Sequence, residues 1–382
     1  MFGNFIGQQH SLGWIVDFWP VFAVSLVVGL AATALCKKVA LKLGIVDKPD
    51  NLVKTHKAPV AYMGGIGILA GLLSGMMAGA YLMRDKPYFG EIFGQLLGIA
   101  AGGAVACIVG LIDDVVDMRP WQKITGQVAA AILLLAAGIR PRLHYFTDMV
   151  GISMSPEVEA LLGIPVVLIF VLGATNSLNL LDGLDGLCGG VTAIITLAMF
   201  GLAVHLGTWG LSETGDAVRL IVCLACVGGV LGFLPFNRHP AKIFMGDAGS
   251  MLLGFVVASL MILFAEGIPR WWMASIVVFG LPILDTATAM VRRLVNRRPL
   301  FKSDRGHIYD QMIDRGIPLK KTVGICYALA GMYAVLGLFM SQIRTRYAMI
   351  AYVLISVVSA LAIWRKGYLK MEGVRGAVRK EA

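Results

Sequence analysis

The segment LLGIAAGGAVACIVGLIDD, residues 96–114, holds 17 consecutive residues without a charge and ends in two adjacent aspartates. A helix that crosses a bilayer needs about 20 predominantly apolar residues. The segment therefore predicts a membrane-spanning helix whose acidic end reaches a membrane surface. The composition of the whole chain agrees, because 58% of the 382 residues are hydrophobic and only 15% are charged, whereas about a quarter of the residues in a soluble domain are charged.

The same apolar pattern occurs eleven times, separated by short polar loops. The predicted fold is all-α: a polytopic membrane protein with about eleven transmembrane helices in one integral membrane domain, residues 1–382. The first ten residues carry no Lys or Arg, which argues against a cleaved signal peptide, and the six cysteines are expected to pack as small apolar residues. The predicted spans are 14–36, 62–83, 96–112, 124–139, 161–177, 186–205, 217–235, 247–265, 271–289, 322–340 and 346–364.

The basic residues predict how the chain is oriented in the membrane. Of the 33 Lys and Arg residues, 25 lie in the odd-numbered loops and the C-terminal tail. Cytoplasmic loops carry an excess of Lys and Arg, so we expect these loops and the C-terminus in the cytoplasm and the N-terminus outside. The net charge of +10 then reflects orientation and anionic lipid headgroups, and no nucleic-acid partner is predicted.

Acidic residues are few, and most of the conspicuous ones fall on this predicted cytoplasmic side. Each cluster has an ordinary reading: a solvated helix end at Asp113 and Asp114, a turn in DGLDG, or a helix N-cap at Asp247. Ionisable residues at membrane depth are nevertheless functional candidates by default, and four clusters on one side favour a shared site. The predicted catalytic loops are 37–61, 113–123, 176–188, 236–248 and 290–321.

The side chains in these loops indicate the class of chemistry. Carboxylate and amide oxygens without clustered His or Cys favour Mg²⁺, or Mn²⁺ in its place, over zinc. Basic side chains near the acids suit a diphosphate. Together with the membrane setting, they predict phosphoryl transfer between a soluble donor and a lipid acceptor.

Five segments together resemble the polyprenyl-phosphate N-acetylhexosamine-1-phosphate transferase family. They are KAPVAYMGG (57–65), GLIDD (110–114), NSLNLLDGLDGL (176–187), FNRHPAKIFMGDAGS (236–250) and the RR and DRGH elements of the ninth loop. The resemblance implies an eleven-helix enzyme of the inner membrane with its active site at the cytoplasmic face. It also implies Mg²⁺, a UDP-activated amino sugar as donor and undecaprenyl phosphate as acceptor.

The resemblance further implies roles for individual residues. Asp113 and Asp114 resemble paired acids at the catalytic centre, and Asp247 resembles a metal-binding aspartate, with Asn179 beside it in the expected metal site. The expected catalytic residues are Asp113, Asp114, Asp182, Asp185 and His307. The expected substrate-binding residues are Lys57, Lys123, Asn179, Asn237, Arg292, Arg293, Asp304 and Arg305.

One departure from the family pattern lies in the ninth loop. His307 matches the first histidine of a His-x-His-His element, but Tyr309 and Asp310 stand where the second and third histidines would be expected. The resemblance implies a His-rich loop for the branch that transfers phospho-MurNAc-pentapeptide. The departure therefore favours the branch that uses UDP-GlcNAc.

The expected reaction is a direct displacement in which the lipid phosphate attacks the sugar-bearing phosphorus and UMP leaves, starting a cell-envelope glycan. Phospho-MurNAc-pentapeptide transfer remains the alternative within the family. An ion-coupled transporter is the rival outside enzymes, but no internal repeat is evident. DGLDGLCGG lacks the Ala-Arg expected of a CDP-alcohol phosphotransferase, and a scaffold would tolerate loss of the acids. A homodimer is an open alternative to a monomer.

Overall fold

The computed structural model describes residues 16–47, 59–148, 151–210, 212–298 and 306–370. Within these ranges the chain is a bundle of helices, as predicted. The helices are α1 Trp19–Leu43, α2 Gly64–Met83, α3 Phe89–Val116, α4 Pro120–Ala136, α5 His144–Asp148, α6 Pro156–Leu181, α7 Leu187–Gly207, α8 Glu213–Asn237, α9 Gly246–Phe264, α10 Pro269–Val278, α11 Gly280–Val295, α12 Ile308–Asp314, α13 Leu319–Gln342 and α14 Thr345–Arg365.

Nine of the helices in the described ranges are long and apolar enough to cross a membrane. The helices α10 and α11 form one further apolar unit, bent by 67° at the break before Gly280, and would bring the number to ten. The remaining predicted stretch, 124–139, corresponds to α4, whose 17 residues make it shorter than each of the nine counted helices. The all-α polytopic membrane fold is therefore confirmed, and the count of about eleven spans stays a prediction.

Helix α9 forms the centre of the bundle. All but one of the residues in it are buried, and it packs against α2, α3, α6, α8 and α10. Two glycines allow its backbone to approach its neighbours closely: a Cβ on Gly110 of α3 would collide with the backbone of Asp247, and a Cβ on Gly254 would collide with Thr175 of α6. Packing of small residues is how membrane helices associate where lipid supplies no hydrophobic drive.

The structure adds short elements that the apolar pattern does not predict. A two-residue hairpin pairs β1 (Val46–Asp47) with β2 (Val60–Ala61) in antiparallel register. Ala61 also bridges to Ile243, and the Phe244 amide donates to the Ala61 carbonyl at 2.8 Å. The first loop is thereby attached to the segment that leads into α9. This attachment fixes the chain at the N-terminal end of the central helix.

Candidate functional site

Four helix ends meet at the N-terminal end of α9. They are the C-terminal ends of α3 and α6 and the N-terminal ends of α4 and α9. Neighbouring helices of opposite direction bring an end and a start to the same side, so residues distant in sequence become adjacent. Each end contributes one polar side chain to the meeting point: Asp113, Lys123, Asn179 and Asp247.

Lys123 contacts two carboxylates of this group. Its Nζ lies 2.8 Å from Asp247 Oδ2 and also forms an ion pair with Asp113 Oδ2. Asp113 Oδ1 accepts a hydrogen bond from the Met118 amide at 2.8 Å. The side chains of Lys123 and Asp247 are each 26% exposed, whereas that of Asp113 is 8% exposed. Asp113, Lys123 and Asp247, called the Lys123 cluster below, therefore form a partly open arrangement of two carboxylates around one cation.

Asp114 binds the start of α9. Its Oδ1 accepts from the Asp247 amide at 2.9 Å and its Oδ2 accepts from the Ala248 amide at 3.2 Å. The first amides of a helix lack partners within the helix and carry partial positive charge, so a carboxylate there is stabilising. The two adjacent acids thus have different surroundings: Asp113 meets Lys123, and Asp114 caps α9 from another helix. The capping role considered for Asp247 belongs to Asp114.

Asn179 supplies a neutral donor and acceptor next to the cluster. Its amide contacts the Asp247 carboxylate, and its Nδ2 donates to Ser250 Oγ at 3.1 Å. Among the described residues, no group of three or more His, Cys, Asp and Glu side chains is close enough to hold a metal ion by itself. Mg²⁺ typically uses only one or two carboxylates together with substrate phosphates. Two carboxylates already drawn around an ammonium group fit that requirement.

The loop after α6 carries Asp182 and Asp185. Asp185 Oδ2 lies 2.7 Å from His239 Nδ1 and accepts from the Ala241 amide at 3.0 Å. Burial raises the pKa of the Asp182 carboxyl well above its ordinary value, and the negative charges of Asp247 and Asp114 raise it further. The Asp182 carboxyl is therefore close enough to Asp247 and Asp114 to feel their charges, whereas Asp185 is held by the loop that leads into α9.

Asn237 is buried between these two loops. Its Oδ1 accepts from the Gly186 amide at 3.0 Å, and its Nδ2 donates to the Ile243 carbonyl at 3.0 Å. The amide group thus uses both its acceptor and its donor on backbone groups. The sequence expectation places Asn237 among the substrate-binding residues; its contacts in the structure are those of a residue that holds two loops together.

His307 lies at the start of α12 and is buried. Its Nδ1 lies 2.7 Å from Asp285 Oδ2. Arg292, also buried, donates to the Gly306 carbonyl just before His307. Arg293 is buried on the same helix. The two arginines and His307 therefore belong to one well-packed region formed by α11 and α12.

Tyr309 occupies one of the positions where the family pattern has histidine. Its ring stacks on the His307 ring with centroids 5.6 Å apart and an angle of 9° between planes. Its hydroxyl donates to the Leu180 carbonyl at 2.8 Å, and burial raises the pKa of the phenol well above its ordinary value. The ring also fills the space beside Gly183. Tyr309 thereby connects α12 to the loop that carries Asp182.

A groove of about 770 Å³ opens beside this loop. Its polar wall consists of Asp185, Arg238, His239, Lys320 and Tyr327, and its apolar wall comes from α8 and α13. Tyr327 donates to the Gly186 carbonyl at 2.6 Å. The groove thus adjoins the candidate site through Asp185 and presents both charge and an aromatic face.

Some residues of the site were not predicted from the sequence, and some predicted residues fall in parts of the chain that the structure does not describe. Lys57, Asp304 and Arg305 lie outside the part of the chain that the structure describes. The sequence predictions assign no role to Asp285. Its signal in the sequence is an isolated aspartate in an apolar helix. His239 and Tyr327 carry no such signal, because a histidine in a loop and a tyrosine in a span are common.

Residues 96–265 match the model of glycosyl transferase family 4. A probable undecaprenyl-phosphate N-acetylglucosaminyl 1-phosphate transferase of Bacillus subtilis is 29% identical over 326 residues, which cover 82% of each chain. A decaprenyl-phosphate N-acetylglucosaminephosphotransferase of Mycobacterium leprae is 30% identical over 323 residues, 79% of this chain and 78% of the relative. A phospho-N-acetylmuramoyl-pentapeptide-transferase of Desulfitobacterium hafniense is 35% identical over 223 residues, which cover only 54% of this chain.

Proposed function

The chain belongs to glycosyl transferase family 4, and from this membership we infer that it transfers N-acetylglucosamine 1-phosphate from UDP-N-acetylglucosamine to undecaprenyl phosphate. Relatives that match about four-fifths of the chain are named for N-acetylglucosamine phosphate transfer with undecaprenyl phosphate or decaprenyl phosphate. The observation that carries the proposal is the Lys123 cluster, in which carboxylates from α3 and α9 converge on one cation. Such a site is suited to a pyrophosphate bound with a divalent ion.

The reaction is a phosphoryl transfer in one displacement. An oxygen of the lipid phosphate forms a bond to the phosphorus that carries the sugar. The bond from that phosphorus to the bridging oxygen breaks, and UMP leaves with the bridging oxygen. A phosphate monoester has a second pKa of about 6 and is mostly a dianion near neutral pH, so the nucleophile needs little help from a base. Catalysis then depends on positioning and on neutralising charge.

The residues of the cluster have separate tasks in this proposal. Asp247, Asp113 and Asn179 would hold Mg²⁺, which when bound neutralises charge on the pyrophosphate. Lys123 provides a second positive charge at the same point. Asp114 keeps the N-terminus of α9 in place, so that Asp247 stays directed at the cluster. Asp114 is therefore a supporting acid in the proposed mechanism and not the general base.

The donor and acceptor would approach this point from different sides. The groove beside Asp185, with Arg238, Lys320 and Tyr327 in its wall, has the charge and the aromatic surface that a nucleotide requires. The polyprenyl chain would remain in the bilayer with its phosphate at the surface. The Lys and Arg distribution supports a cytoplasmic active site in the inner membrane. The proposal does not depend on a homodimer.

Release of UMP by the purified protein tests the proposal. Protein in detergent is mixed with undecaprenyl phosphate, MgCl₂ and either UDP-GlcNAc or UDP-MurNAc-pentapeptide. We expect UMP and a lipid-linked sugar with UDP-GlcNAc, loss of both with EDTA, and recovery when Mg²⁺ is restored. A faster reaction with UDP-MurNAc-pentapeptide would assign the chain to the alternative branch. No UMP with either donor from correctly folded protein would refute the transferase and favour the transporter.

The matched control compares Asp247, in the first turn of α9, with Asp117, the residue that follows α3. Asp247→Asn should lower turnover by on the order of 10³-fold, because it removes one of two carboxylates around the cation. Asp117→Asn should leave turnover unchanged. Asp117 is exposed and has φ 52°, a conformation in which asparagine is well tolerated. Equal activity of the two variants would remove Asp247 from the site.

A further inference from the structure

We propose that Asp285 is a positioning residue that holds His307 in a single tautomer and orientation toward the donor diphosphate. The proposal rests on the proposed transferase function and names a residue that acts on the reaction through another side chain. Asp285 lies on α11, and His307 lies at the start of α12, beyond the loop that joins them. Both side chains are buried, with 1% and 5% of their surface exposed.

Both oxygens of Asp285 are engaged by the same turn. Oδ2 lies 2.7 Å from His307 Nδ1, and Oδ1 accepts from the Ile308 amide at 2.6 Å. An ionised carboxylate can only accept hydrogen bonds, so His307 Nδ1 must carry the proton of this contact. The tautomer of the His307 imidazole is therefore set by Asp285, as second partners set it in other histidine sites.

The surrounding turn leaves the imidazole little freedom to rotate. The Gly306 carbonyl accepts from Gln311 Nε2 at 2.9 Å and from the Arg292 guanidinium. Tyr309 stacks on the ring and is itself anchored to Leu180. The His307 ring is thus held from the side by Tyr309 and at Nδ1 by Asp285. A fixed imidazole beside the loop that carries Asp182 is the arrangement expected of a preorganised contact to a bound phosphate.

The variant Asp285→Asn separates this role from simple packing. An asparagine has one acceptor oxygen and one donor NH₂ group, so it cannot accept from both His307 Nδ1 and the Ile308 amide. If the oxygen serves Ile308, the NH₂ group favours the opposite tautomer of His307. We expect kcat to fall on the order of 10²-fold while KM for the donor changes less than about 3-fold, in line with the large effect of the wrong tautomer in catalytic dyads.

The decisive measurement is a double-mutant cycle of Asp285→Asn with His307→Ala, read as UMP release per folded protein. If Asp285 acts through His307, the double variant should be no slower than His307→Ala alone, because the shared contribution has already been lost. Rate losses that multiply would overturn the proposal, since Asp285 would then act independently of the imidazole. Should Asp285→Asn fail to fold, Asp285→Glu replaces it in the same cycle, with the same two outcomes, because its extra methylene moves the carboxylate away from the position that contacts both His307 Nδ1 and the Ile308 amide.

A spectroscopic readout distinguishes failure of this proposal from failure of the proposed function. The ¹⁵N chemical shifts of His307, assigned by their loss in His307→Ala among the six histidines of the chain, report which ring nitrogen carries the proton without any turnover. We expect a protonated Nδ1 in the wild-type protein and a changed tautomer in Asp285→Asn. A protonated Nδ1 that is unchanged in Asp285→Asn would overturn the positioning role even in an active enzyme. Absence of UMP release with the expected shifts would count against the transferase alone.

Discussion

The two ends of α9 carry the same chemical groups in different settings. At its N-terminal end, the Lys123 cluster joins one cation to two carboxylates, with Lys123 and Asp247 each 26% exposed. At its C-terminal end, Arg219 pairs with Asp216 at 2.6 Å and approaches Glu266 at 3.9 Å. The side chains of Arg219 and Asp216 are only 2% and 0% exposed. Arg219, Asp216 and Glu266 are called the Arg219 cluster below. Arg219 also donates to the Leu263 carbonyl at 2.8 Å.

The difference teaches that exposure, and not residue type, separates a reactive cluster from a structural one. A sealed ion pair has no access for substrate, and removal of one partner leaves an unpaired buried charge. A half-open pair contributes little to stability but can exchange its partner for an incoming phosphate or cation. Under the proposed function, the Lys123 cluster serves catalysis, whereas the Arg219 cluster holds α8 and α9 together. The same substitution at both clusters should have opposite consequences.

Lys123→Met should give the largest effect, and on activity only. It removes the positive charge that faces both Asp113 and Asp247, so we expect UMP release to fall by on the order of 10³-fold. The ion pairs are partly exposed, so the free energy of unfolding should fall by less than about 1 kcal/mol. Turnover and thermal unfolding in the same detergent measure the two quantities. A variant that is unstable rather than inactive would reverse the assignment of the cluster.

Arg219→Met should act in the opposite sense. It leaves Asp216 buried without its cation, which should lower the free energy of unfolding by about 3 kcal/mol, while the turnover of the protein that remains folded stays within about twofold. The double variant Asp216→Leu with Arg219→Met should recover most of the stability, because an apolar pair of similar volume replaces a buried ion pair. Loss of turnover without loss of stability would contradict the structural role.

Glu266→Gln should give the smallest effect, visible only as a change in pH dependence. Burial raises the pKa of Glu266 from 4.5 to about 7, partly opposed by Arg219. Between these values the folded protein keeps a proton that the unfolded chain has released, so this group makes stability fall as the pH rises from about 4.5 to 7. In Glu266→Gln this fall should be absent, a change of a few degrees in Tm. Parallel profiles of Tm against pH for both proteins would contradict it.

Most of the fold is predictable because long apolar runs can only be helices in a bilayer. Nine of the eleven predicted stretches fall on helices that are long and apolar enough to cross a membrane, and a tenth falls on the bent pair α10 and α11. The remaining stretch, 124–139, falls on α4. The break before Gly280 was not predicted, since residues 271–289 read as one continuous apolar run. The β1–β2 hairpin was also missed, because two-residue strands have no period to detect.

The candidate site was predictable in its residue types and its side, but not in its contacts. Asp113 and Asp247 were expected in one site, and Lys123 joins them in the structure. Asp114 looked identical to its neighbour in the sequence, yet consecutive residues on a helix point about 100° apart, so one acid meets Lys123 and the other meets the α9 amides. The hydrogen bond from the Tyr309 hydroxyl to the Leu180 carbonyl depends on an approach of α12 to α6 that no local pattern encodes.

The sequence by itself determined that the chain is a helical membrane protein with acids gathered toward one predicted side, because hydrophobicity and charge are properties of each residue that act without a partner. Only the tertiary structure decided which acid pairs with Lys123, which one caps α9, and which histidine nitrogen faces Asp285. Those outcomes depend on distances of a few ångströms between helices far apart in the chain, and on glycines such as Gly110 that allow backbones to touch.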